Sequence, residues 1–247
     1  MIIELTGIPG AGKTTMAREL VARHGYVYVE CNTLFMPGDA QQRGLLRWIV
    51  RPIAEMRGLL SAVGGLVTSS TYRTLLREMF HLLKTNRCGF FNKVNIVRNT
   101  LHKIAAHRTL DRRRATIHIV DEGFTHLPQS LLVDGAPPDI VALKRSIARL
   151  VSALPMPSIL VILDIDRQTA TTRVAARGHR RFGGCTEVIT AHLENAQLVA
   201  TLSAEEFARL HGDDDHKILS FLPEGNQAGR DPIDVIAATM ESITCSR

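Results

Sequence analysis

The chain is 247 residues long, 45% hydrophobic and 22% charged, the balance of a globular protein able to bury a real core. Its 30 Lys and Arg against 24 Asp and Glu leave a net charge of +6, which favours anionic partners without choosing among nucleotides, phosphorylated metabolites, nucleic acid and acidic lipid. Cys31, Cys88, Cys185 and Cys245 are widely spaced with no CxxC pair, which argues against a zinc site and a disulfide framework.

In chain order, the first residues already read as a strand, so no signal peptide is expected before the fold. Five short apolar, β-rich runs recur: Ile2–Thr6, Tyr26–Glu30, Thr116–Asp121, Ser158–Ile165 and Lys217–Phe221. Runs without polar alternation, spaced by helical-period segments, suit a parallel sheet covered on both faces. Lys13–His24 reads as the first helix with Gly25 as its stop, and Asp166–Gly178 as a later one ended by Gly178. Pro232 fits the first turn of the last helix.

The interval from about Pro37 to Arg114 has helical periodicity and no convincing strand, and it is too long for a loop. Several helices forming a lobe on the sheet are expected there, with breaks near Gly64-Gly65 and Cys88-Gly89. Within it, the apolar stretch Leu45–Val67 carries Arg47, Arg51, Glu55 and Arg57, each costly in a bilayer. No membrane span is therefore expected, and a reduced, cytoplasmic setting is the default. The organisation read from the whole is one domain over residues 1–247, α/β, with a helical insertion.

Gly7-Ile8-Pro9-Gly10-Ala11-Gly12-Lys13-Thr14 matches G-x-x-x-x-G-K-[ST] at every fixed position, with an apolar run before it and a helix after it. Glycines let backbone N–H groups turn inward toward phosphate oxygens, and the helix N-terminus adds partial positive charge. Gly10, Ala11, Gly12, Lys13, Thr14 and Thr15 are thus the candidate nucleotide-binding residues. Lys13 would reach the β- and γ-phosphates, and the Thr14 hydroxyl would ligate Mg²⁺. The run ATIHIVDEGF closes an apolar strand with Asp121 and Glu122; acidic residues there lie beside the phosphate loop, and Asp121 is the better candidate for holding Mg²⁺. Glu30 ends the second run at the carboxyl edge of the sheet, where a carboxylate can accept a proton from an acceptor hydroxyl.

Arg173 and Arg177 stand at i and i+4, on one helix face, followed by Arg180 and Arg181 in a glycine-flanked loop. Guanidinium groups so placed can stabilise charge on a transferring phosphoryl group. The run Arg112-Arg113-Arg114 reads as a solvated junction. His102, His107, His118, His126 and His179 lack metal spacing and read as packing or surface residues.

Taken together, the phosphate loop, the acidic end of the third run and the arginine-rich segment LVILDIDRQTATTRVAARG after the fourth resemble the thymidylate kinase-like and deoxynucleoside kinase-like branch of P-loop kinases. LSFLPEGN is similar to that family's last strand and adenine-contacting loop. The resemblance implies a P-loop NTPase fold: a five-stranded parallel sheet flanked by helices, an acceptor site under the helical lobe (about 37–114), and a lid (about 166–184) over ATP and Mg²⁺. Lys13, Thr14 and the loop backbone would then bind ATP. Arg173, Arg177, Arg180 or Arg181 would supply lid cations, and Glu30 matches the position of a catalytic carboxylate. The chain departs from the pattern at Asp121-Glu122, where these kinases commonly carry an acid–arginine pair.

The leading expectation is an ATP-dependent kinase acting on a small, anionic or polyhydroxyl acceptor: a nucleoside, nucleotide, sugar or specialised metabolite. Glu30 and Glu122 both remain candidates for the base. A homodimer is allowed and nucleic acid is disfavoured, because the basic residues are scattered and aromatics are few, at 5%. Two alternatives stay open: a regulatory ATPase, in which Glu122 would activate water, and a polynucleotide 5′-kinase.

Overall fold

The computed structural model describes residues 1–31, 34–35, 44–86, 88–112, 116–134, 139–178, 185–211, 217–221 and 231–245. Strands β1 (Ile2–Gly7), β2 (Val27–Glu30), β3 (His118–Asp121), β4 (Ile159–Leu163) and β5 (Lys217–Phe221) form one five-stranded sheet in the order β2-β3-β1-β4-β5. Every pairing in it is parallel. The central strand β1 is buried at all six positions, as expected of an apolar run covered on both faces. Strand order reverses at β1, which has β3 on one side and β4 on the other. That reversal opens a crevice at the carboxyl ends of the strands. Leu5 and Glu30 are both in register with Asp121, so Gly7, Glu30 and Asp121 emerge along one edge.

Helices α1 (Lys13–His24), α2 (Gly44–Thr68), α3 (Ser70–Thr85), α4 (Phe90–Asp111), α5 (Leu127–Leu132), α6 (Ile140–Ser152), α7 (Arg167–Ala176), α8 (Thr186–His211) and α9 (Pro232–Cys245) complete the described elements. Gly25 ends α1 in the left-handed region, its N–H returning 3.0 Å to Val21 O. Among the described residues, no helix is long and apolar enough to cross a membrane.

The lobe is made of α2, α3 and α4. The break expected near Cys88-Gly89 lies between α3 and α4, but the one expected at Gly64-Gly65 does not exist: α2 runs through to Thr68. These two glycines serve close approach instead. A Cβ on Gly64 would sit 2.1 Å from an Arg108 guanidinium nitrogen, and one on Gly65 would sit 3.1 Å from the Ile104 side chain and 3.3 Å from the Tyr72 ring. Both glycines thus seat α2 against α4, where Arg108 also donates to Ser61 O at 2.9 Å.

The lobe is in turn anchored to the sheet. Tyr72 of α3 stacks on Phe124 with ring centroids 6.2 Å apart, and His107 of α4 lies 5.5 Å from the same ring. The Tyr72 hydroxyl is 3.0 Å from His107 Nδ1. Phe124 follows β3 directly, so packing of the lobe bears on the turn that ends that strand.

On a solvated helix, replacing glycine by a better helix former stabilises by about 1 kcal/mol. Gly65→Leu is expected to do the opposite, costing about 1–3 kcal/mol through overpacking. A thermal melt reads the sign, and an unchanged or raised midpoint would contradict the close-packing role.

Candidate nucleotide and acceptor sites

The loop between β1 and α1 turns on Gly10 and Gly12, at φ 89° and 90°, a region that side chains other than glycine rarely enter. Gly10 also faces α7 closely; a Cβ there would lie 3.1 Å from Ala170 O. From the first turn of α1, Lys13 folds back over the loop and donates to Gly7 O at 3.0 Å and Ile8 O at 3.3 Å. It is only 7% exposed, and burial lowers its pKa against the pull of Glu122 and Asp121. Arg173 of α7 donates to Gly10 O at 3.1 Å, which ties the start of the expected lid to the loop.

A cavity of about 390 Å³ opens over this loop. Gly10, Ala11, Gly12, Lys13 and Thr14 line it together with Asp121, Glu122 and Arg177. Thr15 is exposed on α1 and is not among its walls. Arg180 and Arg181 lie outside the described residues, as do Arg113, Arg114, His179 and the segment LPEGN.

Thr14 Oγ1 donates to Asp121 Oδ2 at 3.0 Å, and the Tyr28 hydroxyl approaches the same oxygen at 3.4 Å. The other carboxylate oxygen, Oδ1, is buried with no hydrogen-bond partner among the described residues. Burial raises the Asp121 pKa, chiefly against the nearby Lys13 charge. A buried carboxylate with one unfilled oxygen beside a hydroxyl, facing a phosphate loop, fits a hard cation such as Mg²⁺, which Thr14 and Asp121 would hold.

Beyond Asp121 the chain turns sharply. Glu122 adopts φ 57°, the one non-glycine residue in the left-handed region among those described. The turn is clamped from below by Glu4, buried in β1, whose Oε1 accepts from Phe124 N at 3.2 Å. Glu4 Oε2 accepts from Thr125 N at 2.9 Å and Thr125 Oγ1 at 2.8 Å. A Cβ on Gly123 would come within 2.3 Å of the Glu4 carboxyl carbon. From the other side, buried Lys103 of α4 donates to Gly123 O at 2.6 Å. So held, Glu122 lies 3.9 Å from Lys13 Nζ and 4.0 Å from His126 Nε2.

A second cavity of about 340 Å³ lies against the first. Glu30, Tyr28 and Cys31 line it from β2 and its exit, and Asn99 and Lys103 line it from α4. Thr14, Asn99, Asp121, Glu122 and His126 are among the residues that line both cavities. His126, read from the sequence as a packing or surface residue, is therefore a shared wall; burial pushes its pKa down to about 3, leaving a neutral ring at pH 7. Tyr28, Asn95, Asn99, Lys103 and Glu4 were not singled out by the sequence either. Asn92, Asn95, Asn99 and Lys103 do recur at helical spacing, a polar stripe on one face of α4 that period counting can expose.

A phosphate loop at the strand-order reversal, with an acid from the neighbouring strand bonded to its threonine, defines the P-loop NTPase fold. The chain belongs to the family described as AAA domain, whose model matches residues 2–203. No curated protein matches it. Among solved structures it is similar to deoxyadenosine kinase from M. mycoides with the products dCMP and a flexible dCDP bound, at 16% identity and TM-score 0.42, covering 98% of this chain and 100% of that one. It is also similar to thymidylate kinase from Candida albicans, at 11% identity and TM-score 0.46, covering 99% and 91%.

Removing divalent cations with EDTA is expected to weaken binding of a fluorescent ATP analogue by about tenfold or more in the native chain, because a metal held by Thr14 and Asp121 would neutralise phosphate charge. Asp121→Asn should flatten that dependence, and an undiminished EDTA effect in the variant would remove Asp121 from the metal site.

Proposed function

We propose that this protein is an ATP-dependent phosphotransferase that moves the γ-phosphoryl group to a hydroxyl of a small acceptor seated in the second cavity. One observation carries the reading: the cavity over the phosphate loop and the cavity beside Glu30 share Thr14, Asp121 and Glu122 as common walls. A nucleotide laid on the loop would direct its terminal phosphate toward that junction, and an acceptor beside Glu30 would meet it there.

Each residue then has a role that its position supports. Gly10, Ala11 and Gly12 offer backbone N–H groups, and Lys13 supplies the charge that follows the terminal phosphates. Mg²⁺ held by Thr14 and Asp121 would neutralise phosphate charge. Arg177 brings a second cation to the first cavity, while Arg173 keeps α7 docked on the loop. Glu30 accepts the proton of the attacking hydroxyl. Positioning and charge neutralisation do most of the work, with little covalent chemistry for the protein.

A second reading, hydrolysis of ATP by water, draws on Glu122, whose constrained backbone holds its carboxylate between the two cavities. Measuring ADP release with and without acceptors separates the two. Acceptor-stimulated release well above the basal rate is expected; brisk basal hydrolysis that no acceptor raises would favour the ATPase. Lys13→Ala is expected to abolish turnover. Glu30→Gln should slow it by about 100-fold or more while leaving ATP affinity nearly intact, within the range for loss of a positioned base. Unchanged turnover would remove Glu30 from that role.

A further inference from the structure

A third cavity, of about 130 Å³, lies between the sheet and α8. Thr6, Ile162 and Ser220 are register partners across β1, β4 and β5, so their side chains share one face of the sheet. All three line the cavity. Gln197, Thr201 and Ala204, spaced along one face of α8, line it from the helix. Gly7 and Ile8, whose carbonyls accept from Lys13, are walls as well, so the cavity sits directly behind the phosphate loop.

The polar groups around it are short of donors. Gln197 Nε2 donates to Asp164 Oδ1 at 3.0 Å; an ionised carboxylate can only accept, so the orientation of that amide is fixed. Gln197 Oε1 is then buried with no hydrogen-bond partner among the described residues, and so are Thr6 Oγ1 and Gln129 Oε1. Thr6 and Gln129 are each only 6% exposed. A buried acceptor left unpaired is costly, so three of them on the walls of one small cavity mark a place for donors from outside the chain. Asp164 adds a carboxylate to the same walls, which favours a donor carrying positive charge. Ile8, Ile162 and Phe207 supply apolar surface for the rest of such a molecule.

We propose that the third cavity binds a small organic cation, a primary ammonium on a short apolar stem, held by the unpaired oxygens of Thr6, Gln129 and Gln197 beside Asp164. An ammonium brings three donors and no acceptor, the complement of these walls. A neutral alcohol brings one donor and no charge, and a carboxylate brings none. A bare alkali cation would leave the apolar walls uncovered. The site is separate from the Thr14–Asp121–Glu122 junction, although Gln129 also lines the nucleotide cavity. The proposal concerns binding and stands apart from the phosphotransferase reading.

A chemical-shift titration of the full chain, labelled at its isoleucine methyls, tests this at constant ionic strength with four probes: n-propylammonium, 1-propanol, propionate and potassium. Propylammonium is expected to shift the Ile8 and Ile162 methyls with a Kd of roughly 1–10 mM, as suits so few atoms. 1-Propanol should bind at least about tenfold more weakly, since it lacks the charge-assisted hydrogen bonds. Propionate and potassium should leave those methyls unmoved. Gln197→Leu should weaken propylammonium by about tenfold, and Thr6→Val, which keeps the shape and removes the hydroxyl, by about fivefold. Both variants should bind an ATP analogue as the native chain does. Saturating Mg²⁺ and the analogue should leave the propylammonium site occupied. Equal binding of 1-propanol, an equal response to potassium, or displacement by the analogue overturns the proposal. So does the absence of any shift at Ile8 and Ile162, which would leave the cavity to water alone. Undiminished binding in the folded Thr6→Val chain removes that hydroxyl from the site and contradicts the arrangement proposed.

Discussion

A carboxylate buried in the central strand holds the site together. Glu4 is 1% exposed, in the middle of β1, where a bare charge would cost several kcal/mol. Its two oxygens accept from Phe124 N, Thr125 N and Thr125 Oγ1, so both are satisfied by hydrogen bonds across to the neighbouring strand's exit. The consequence is geometric. The chain leaving β3 passes over Glu4 at Gly123, where a Cβ would come within 2.3 Å of the Glu4 carboxyl carbon, and it does so with Glu122 bent into the left-handed region. Asp121 and Glu122 are thereby presented side by side at the point where β1 delivers the phosphate loop.

The two halves of the site are built differently. The nucleotide half is contiguous in sequence, a loop of eight residues whose shape follows from its own glycines. The half proposed to seat the acceptor is assembled from β2, the turn after β3, α4 and α5. Its assembly depends on the lobe packing down through Tyr72, His107 and Phe124, which brings α4 across the turn and places Lys103 on Gly123 O. Rigidity at the turn and placement of the acceptor wall are one problem with one solution.

That difference explains what could be read from the chain. The strands were legible because a doubly covered parallel sheet leaves unbroken apolar runs, and the phosphate loop because its chemistry fixes residues at fixed spacing. Gly64-Gly65 misled because glycine as a helix breaker and glycine as a close-packing residue look alike without the partner helix. Glu122, where the resembling kinases place arginine, looked like a loss. In the fold, Lys103 reaches the same turn from α4, where it is committed to the backbone and not to the acceptor. Nothing local marks a lysine on a long helix as buried against a glycine 20 residues on, and Glu4 is marked only by being an acid inside an apolar run.

The central claim is that the nucleotide and the acceptor meet at the Thr14–Asp121–Glu122 junction. A crystal structure of the chain with Mg²⁺ and a non-hydrolysable ATP analogue tests it most directly. The account predicts the terminal phosphate within contact of Lys13 and Thr14, with the metal on Asp121 and the open face of the phosphorus turned to the Glu30 cavity. A triphosphate that runs away from Asp121, or whose terminal phosphorus is walled off from that cavity, would contradict it.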